Sequence, residues 1–446
     1  MKSEQVDLRE TESLSFDLIV IGGGSAGVAT AVTAARQGLN VVMVERHGFC
    51  GGGAVAGHSG TVCGIYEASD AMSAKPVQAV WGFSDEFTSA LQKRGGLGDP
   101  VRYGKTFTRV HDPILWREAA DGFLRGAGVT VIYHAVATGV LTEGKRIEGV
   151  QLWTKQGPLT LRAPITVDAS GDADLVAMAG LPSFVGDNGR VQNPTMIFRL
   201  MGVDTVAFKA RYGEDTIMPP EVSELIAQAN ASGGYVLPRA KIWMFETTRP
   251  GELLCNCTRI IGEDGRELNP LLWRDFSEAE TQGRRQAREY ARFFKDTLVG
   301  CENSYVNDMA PQVGVRQSRQ VEGVAKLMNS DVTSGTKSAA GIARSPWPIE
   351  LHAGTKPKVE WLLNDVYEVP FGCFVPAQGE GLLTAGRCLS AEHEAVASAR
   401  VTAQCFSYGH AIGHAAVISV REGVDPRDID GREIRERLNR ENARLD

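Results

Sequence analysis

Gly22, Gly24 and Gly27 stand in a G-x-G-x-x-G spacing, directly after the apolar run Phe16 to Ile21 and directly before Val28 to Asn40, a stretch with helical patterning. Each glycine has a separate physical job: Gly22 makes the turn, Gly24 lets the backbone approach a pyrophosphate, and Gly27 lets helix and strand pack closely. The helix N-terminus then faces the phosphate charge. Glu45 closes the next apolar run, Val41 to Val44, and offers a carboxylate to ribose hydroxyls while disfavouring a 2'-phosphate. The spacing predicts one complete strand, turn, helix and strand unit that binds a dinucleotide.

The elements that must position this unit are distributed along the chain. Residues 60–105 read as mixed, broken by Trp81, Gly95-Gly96 and Asp99-Pro100, and a helix is expected over 113–126. Short strands over 129–168, including Val129 to Tyr133 and Leu159 to Arg162, read as an antiparallel insert that leads back into a sheet. Scattered prolines, isolated strands and a long helix near 280–298 mark 183–310 as a second unit. The glycine-rich style of the start returns at Leu382 to Arg387, before a helix through about 400–422. The reading is an α/β protein whose Rossmann-like first domain is discontinuous, 1–182 and 311–446, around an inserted α+β substrate domain at 183–310.

Composition narrows the function classes. Fifty glycines in 446 residues exceed the roughly 7% of an average chain, and 43% hydrophobic residues can fill a large core. A net charge of -7 gives no reason to expect a nucleic-acid partner, and the arginine-rich stretch 284–295 reads as the wet face of a helix that turns Ala287, Tyr290, Ala291 and Phe294 inward. The polar tail, with Ile434, Leu438 and Leu445 spaced among charges, reads as a surface helix. No run reaches the roughly 18 apolar residues of a membrane span, and the first fifteen residues are polar, so a cytoplasmic location is expected. Eight irregularly spaced cysteines argue for reduced thiols, and Cys255-Asn256-Cys257 has no partner motif for a metal.

Beyond the first unit, Gly51-Gly52-Gly53, the segment Val167 to Asp174, the stretch Gly314 to Arg319 and the closing Ala385 to Ser390 with Ser398-Ala399-Arg400 make the chain resemble the FAD-dependent oxidoreductase family with a glutathione-reductase-type flavin domain. Read alone, Asp168 to Asp172 is equally a turn, and Arg316 and Arg319 are equally surface charges. The resemblance implies FAD as cofactor. It implies contacts from Gly22, Gly24, Ser25, Ala26 and Gly27 in the first turn, from Glu45 and Arg46 after the second strand, and from Gly51, Gly52 and Gly53. Val136, Ser170, Gly171 and Asp174 follow by the same resemblance. Gly386 and Arg387 would sit by the pyrophosphate and ribityl chain, and Arg400 and Val401 would open a helix aimed at the isoalloxazine.

There is no second G-x-G-x-x-G unit for a nicotinamide nucleotide and no C-x4-C pair, so the expected reaction is hydride transfer between a small organic substrate and flavin N5, with an external acceptor such as oxygen, a quinone or a carrier protein. A flavin enzyme without net redox change, such as a hydratase or isomerase, and a non-catalytic flavin-fold subunit are the alternatives, and homo-oligomerisation stays open. Negative charge on the reduced ring needs a positive partner, for which Arg400 is the candidate. His393, flanked by Glu392 and Glu394, is the first candidate base, followed by His352 and Tyr367. His58, in the small-residue stretch Gly53 to Gly60, is placed along the flavin as a covalent or hydrogen-bonding partner. Arg199, Arg239, Arg249 and Arg259 suggest a substrate carboxylate.

Overall fold

The computed structural model describes residues 12–71, 73–352 and 357–446. Its centre is a parallel five-stranded sheet in the order Leu382–Thr384, Ile165–Asp168, Leu18–Ile21, Val41–Glu45 and Thr130–Tyr133. The register aligns Val20 with Val167 on one side and with Met43 on the other. These strands are mostly apolar because both faces are covered, with Glu45, Asp168 and Thr384 at their carboxyl ends and Thr166 and Thr130 as further exceptions. Leu18, Val20, Val41, Met43 and Val167 point into one core, with the helices. Ile19, Ile21, Val42 and Val44 point into another, beneath an antiparallel sheet built from Val136–Glu143, Arg146–Thr154 and Gly157–Arg162. The strand Thr130–Tyr133, expected in the antiparallel insert, is instead the edge of the parallel sheet, paired with Val41–Glu45.

On the helical side, Ser25–Arg36 lies against the long helix Thr402–Glu422. The two approach closely because a Cβ on Gly409 would fall 2.1 Å from the Ala26 carbonyl oxygen, and one on Gly413 would fall 2.6 Å from Thr33 Cβ. Helix Pro113–Ala127 starts on Asp112, whose carboxylate accepts from the Ile114 and Leu115 amides, with Pro113 at its first position. The tail folds as helix Gly431–Arg440, with Ile434, Leu438 and Leu445 buried.

A second sheet, in the order Trp243–Glu246, Glu252–Asn256, Phe198–Met201 and Tyr305–Met309, is antiparallel. Its core includes Phe198, Leu200, Leu253 and Cys255, covered by Tyr290, Phe293 and Phe294 of helix Trp273–Thr297. Phe293 joins the inward stripe that the sequence suggested, whereas Ala291 is only partly buried. Residues 60–105 are more regular than their breakers imply: helix Phe83–Lys93 precedes a hairpin of Leu97–Tyr103 and Thr106–His111. Tyr103 on that hairpin packs with Trp243, Phe245, Leu254 and Trp347, so the first part of the chain and the second sheet share a core. At the other seam, Ser183–Val185 pairs with Arg319–Val321. No helix among the described residues is long and apolar enough to cross a membrane.

Candidate functional site

At the carboxyl end of the parallel sheet the first turn opens onto a long cavity lined by Gly22, Gly24, Ser25 and Ala26. Gly22 has φ +108°, and a Cβ there would sit 2.3 Å from the Ala169 carbonyl oxygen. A Cβ on Gly27 would fall 1.8 Å from the Gly22 carbonyl oxygen, so Gly27 packs behind the turn and is not part of the lining. Gly24 differs from both. A Cβ there would meet no protein atom closer than 3.9 Å, which leaves room for a ligand against the backbone. Helix Ser25–Arg36 begins with no side-chain cap and no acidic residue in its first turn, so its amides keep their capacity for an anion.

Glu45 is buried beside this turn and lines the cavity. Its Oε2 accepts from the Gly23 amide at 2.7 Å and its Oε1 from the His47 amide at 2.8 Å. Each oxygen retains acceptor capacity, as a ribose diol requires. Gly52 and Gly53 line the wall opposite, while Gly51 donates its amide to the Gly23 carbonyl at 2.8 Å and stays outside the lining. Arg46 reaches the cavity with its Nη2 3.1 Å from Gln312 Oε1. Val136 and Met178, 53% and 42% exposed, form an apolar rim.

Ser170, Gly171, Asp174, Gly386 and Arg387 line the middle of the cavity. Asp168 does not. Its carboxylate accepts from Ser170 Oγ at 2.6 Å and from the Leu175 amide at 2.8 Å, so it organises the loop. Arg387 donates to Asp172 Oδ1 and to Ser318 Oγ, both at 2.7 Å, and Arg319 donates to the Asp172 carbonyl at 3.0 Å. The stretch Gln317 to Arg319 thus straps the 171–174 loop in place. Burial, with Asp172 and Asp168 nearby, pushes the Asp174 carboxyl up to about 6.

The inner end is walled by Arg400 and Val401, which precede helix Thr402–Glu422, and by Tyr103, Phe245, Asn256, Arg316, Trp347, Glu350 and His352 from several distant segments. Tyr103 donates its hydroxyl to Glu350 Oε1 at 2.7 Å, and His352 Nε2 lies 3.4 Å from the same oxygen. Burial, then Arg316, Arg239 and Arg400, hold the His352 imidazole well below its usual range and therefore neutral. Arg316 is buried, with Nη1 donating to the Asn193 carbonyl at 2.7 Å, so it is not a surface charge.

His58 is placed differently from expectation. Its neighbours Gly57 and Ser59 line the cavity, but its own ring, 2% exposed, turns to Asp308 of the second sheet, with Nε2 3.6 Å from Oδ2. A left-handed backbone, φ +47°, produces that turn, and burial lowers its pKa to about 4. His393 opens helix His393–Ala399 and does not reach the cavity; burial also lowers its pKa. Tyr367 is buried elsewhere, with its hydroxyl 2.7 Å from Ser398 Oγ. Among the four arginines read from the sequence, Arg199 and Arg249 are committed to Glu252 and Asp112. Arg239 and Arg259 border a small hollow that shares Arg316 and His352 with the main cavity. A second opening of about 610 Å³, flanked by Arg36, Glu86 and His410, lies on the helical side and shares no lining residue with the glycine turn.

A family model described as FAD dependent oxidoreductase matches residues 17–438. No curated protein matches the chain. Among solved structures, a geranylgeranyl bacteriochlorophyll reductase-like protein from Thermoplasma acidophilum is similar with a TM-score of 0.52 and 14% identity, over 97% of this chain and 84% of that one. A triple mutant of the flavin-dependent brominase Bmp2 is similar with a TM-score of 0.51 and 13% identity, over 95% and 85% of the two chains. At such identities the likeness is one of fold.

Proposed function

Because the chain belongs to the FAD-dependent oxidoreductase family, we propose that it oxidises a small organic substrate by hydride transfer from a substrate carbon to flavin N5, and that the electrons leave to an external acceptor. The observation that carries this reading is one continuous cavity, running from Gly24 and Glu45 at one end to Arg400, Glu350 and His352 at the other. Glu45, Arg46 and the rim at Val136 would hold the adenosine. Ser25, Ala26 and the Gly52-Gly53 turn would hold the pyrophosphate, and Gly386 and Arg387 the chain beyond it. When bound, FAD supplies a two-electron acceptor that no side chain provides.

The chain's own residues supply orientation, charge and a proton acceptor. Arg400 and the uncapped start of helix Thr402–Glu422 place positive potential at the inner end, which favours an electron-rich cofactor. His352 takes the part first assigned to His393. Its neutral imidazole borders the cavity and can accept a proton from a substrate O–H or N–H, and Glu350 at 3.4 Å offsets the charge that the ring then carries. Trp347, Phe245 and Ile197 exclude water from that end.

The test uses the holoprotein in anaerobic titrations. NADH and NADPH are expected to bleach the bound flavin slowly or not at all, whereas a small organic donor bleaches it and oxygen, a quinone or a carrier protein restores the colour. Fast bleaching by either nucleotide at micromolar concentration overturns the reading, as does multiple-turnover conversion of substrate with no acceptor present. His352→Gln should retain flavin while losing turnover most steeply on the acidic side of the pH profile.

A further inference from the structure

The inner end of the cavity is rich in hydrogen-bond donors that have no acceptor. Arg239 spends its Nε on the Lys241 carbonyl at 2.9 Å and its Nη1 on Asn256 Oδ1 at 3.0 Å, but its buried Nη2 donates to nothing. Arg400 Nε, Asn193 Nδ2 and Trp347 Nε1 are likewise buried without partners. Arg316, Arg400 and Trp347 line the main cavity, and Arg239, Asn193 and Arg316 line the adjoining hollow.

Charge leans the same way. Among the described residues, none of Arg239, Arg316 and Arg400 has an ion-pair partner within 4.0 Å, although the surface of the protein is laced with such pairs. The one carboxylate among them, Glu350, already accepts the Tyr103 hydroxyl and faces His352. Burial, then Arg239 and Arg400, hold the Arg316 guanidinium well below its usual range, as expected where three guanidiniums share a wall with the single carboxylate Glu350. A buried cluster of this kind is costly unless something that binds there neutralises it.

Resting on the reading of this cavity as the catalytic one, we propose that the substrate is a carboxylate, its anion received by Arg239 and Arg316 with Arg400 completing the positive wall. Guanidinium forks match the two oxygens of a carboxylate. The walls beside them, Trp347, Phe245 and Ile197, are apolar, which suits a short carbon skeleton between the anion and the proton acceptor His352. The anion's charge also raises the basicity of His352, so the substrate helps to arm the group that takes its proton. Of the four arginines suggested by the sequence, Arg239 is kept and Arg259 borders the same hollow; Arg199 and Arg249 face Glu252 and Asp112 and line neither cavity, and Arg316 and Arg400 are added.

Malonate serves as an unreactive probe, with malonamide as the neutral control and inorganic phosphate as the competing anion. Holoprotein is titrated while the visible flavin spectrum and the melting temperature are followed. Malonate is expected to perturb the spectrum and raise the melting temperature, malonamide to do neither, and phosphate to bind at least tenfold more weakly than malonate. Arg316→Gln and Arg239→Gln should each weaken malonate at least tenfold with flavin content retained, and Arg316→Lys should restore only part of the loss. No response to malonate in flavin-replete protein, equal binding of malonamide, tighter binding of phosphate, or unchanged affinity in folded Arg→Lys and Arg→Gln variants overturns the proposal. Protein that takes up no FAD overturns the flavin reading instead, a result visible before any malonate is added.

Discussion

Tyr103 and Glu350 are 247 residues apart in sequence, and their side chains meet in a 2.7 Å hydrogen bond at the inner end of the cavity. Tyr103 comes from the hairpin of the first part of the chain, and Glu350 from the short strand Ile349–Leu351. Burial and the nearby carboxylate hold the Tyr103 hydroxyl protonated, so it donates and Glu350 accepts. One oxygen of Glu350 therefore lies within reach of both side chains, 2.7 Å from the Tyr103 hydroxyl and 3.4 Å from His352 Nε2. Tyr103→Phe removes a hydrogen bond to a charged acceptor, worth about 1.5–3 kcal/mol. The melting temperature should therefore fall by a few degrees, with the flavin spectrum little changed, and turnover should fall at least about 10-fold because Glu350 loses the group that holds it beside His352. Steady-state rates set beside flavin content check this, and a rate equal to the parent's would detach Tyr103 from the reaction.

Gly24 and Gly27 separate binding from folding. A side chain on Gly24 enters open cavity, with no protein atom within 3.9 Å of its Cβ, whereas one on Gly27 strikes the Gly22 carbonyl at 1.8 Å. Gly24→Val should give folded protein with unchanged far-ultraviolet circular dichroism and no bound FAD. Gly27→Ala should fail at the level of folding, because backbone cannot yield as a flexible side chain can. If the Gly24 variant is yellow, the pyrophosphate lies elsewhere.

These two glycines also mark what a sequence can reveal. The turn is largely local: two apolar runs, the glycine spacing and a terminal carboxylate are readable within the window Leu18 to Glu45, and only the packing of Ala169 on Gly22 and the Gly51 hydrogen bond come from outside it. The inner end is not. Tyr103 and Glu350 come from segments without a motif that distinguishes a cavity residue from a surface one, whereas Arg400, which does line the cavity, is marked only through Ser398-Ala399-Arg400 and the family resemblance. Arg316 fell inside a recognisable stretch, yet its burial depends on the Asn193 carbonyl, which no local pattern foretells. His393 looked attractive because of flanking acids, but Glu392 accepts the Asn329 amide and Glu394 pairs with Lys358, so both acids serve the scaffold.

The C-terminal tail is tied to the flavin-domain helix through titratable groups, which gives stability a predictable pH dependence. His410 and His414 on helix Thr402–Glu422 face Glu441, with Nε2 to Oε2 distances of 2.7 and 3.2 Å. Those contacts, the His410 hydrogen bond first, hold the Glu441 carboxyl below its usual range. Burial holds His410 below its own, against the raising influence of Glu441 and Glu86. Both shifts have the same sign. As pH falls below about 6.5 the unfolded chain protonates His410 before the folded one does, and below about 4.3 the same holds for Glu441. This contribution is therefore complete above neutral pH and declines on acidification. Glu441→Gln should lower the melting temperature at pH 8 and widen the difference between pH 8 and pH 5, because it removes the influence that raises His410 and leaves burial unopposed. Parallel melting curves for parent and variant across that range would count against the tie.

His58 offers the sharpest contrast between sequence position and side-chain direction. The chain on either side of it follows the cavity, but at φ +47° the residue swings its ring away from the lining and toward Asp308. Left-handed backbone disfavours most residues but is accessible to histidine and asparagine. Its nucleophilic nitrogen is thus held between the two sheets, with Nδ1 buried and unpartnered. FAD should leave the denatured protein as free cofactor, with a dark band on a fluorescent gel. His58→Ala should lower the melting temperature more than it lowers turnover, since it removes a buried ring and leaves alanine in a left-handed conformation. His58→Asn, which tolerates that backbone, should recover part of the stability. A fluorescent band that vanishes in His58→Ala would show that the ring reaches the flavin after all, and a turnover defect with normal melting would give His58 a part in the reaction.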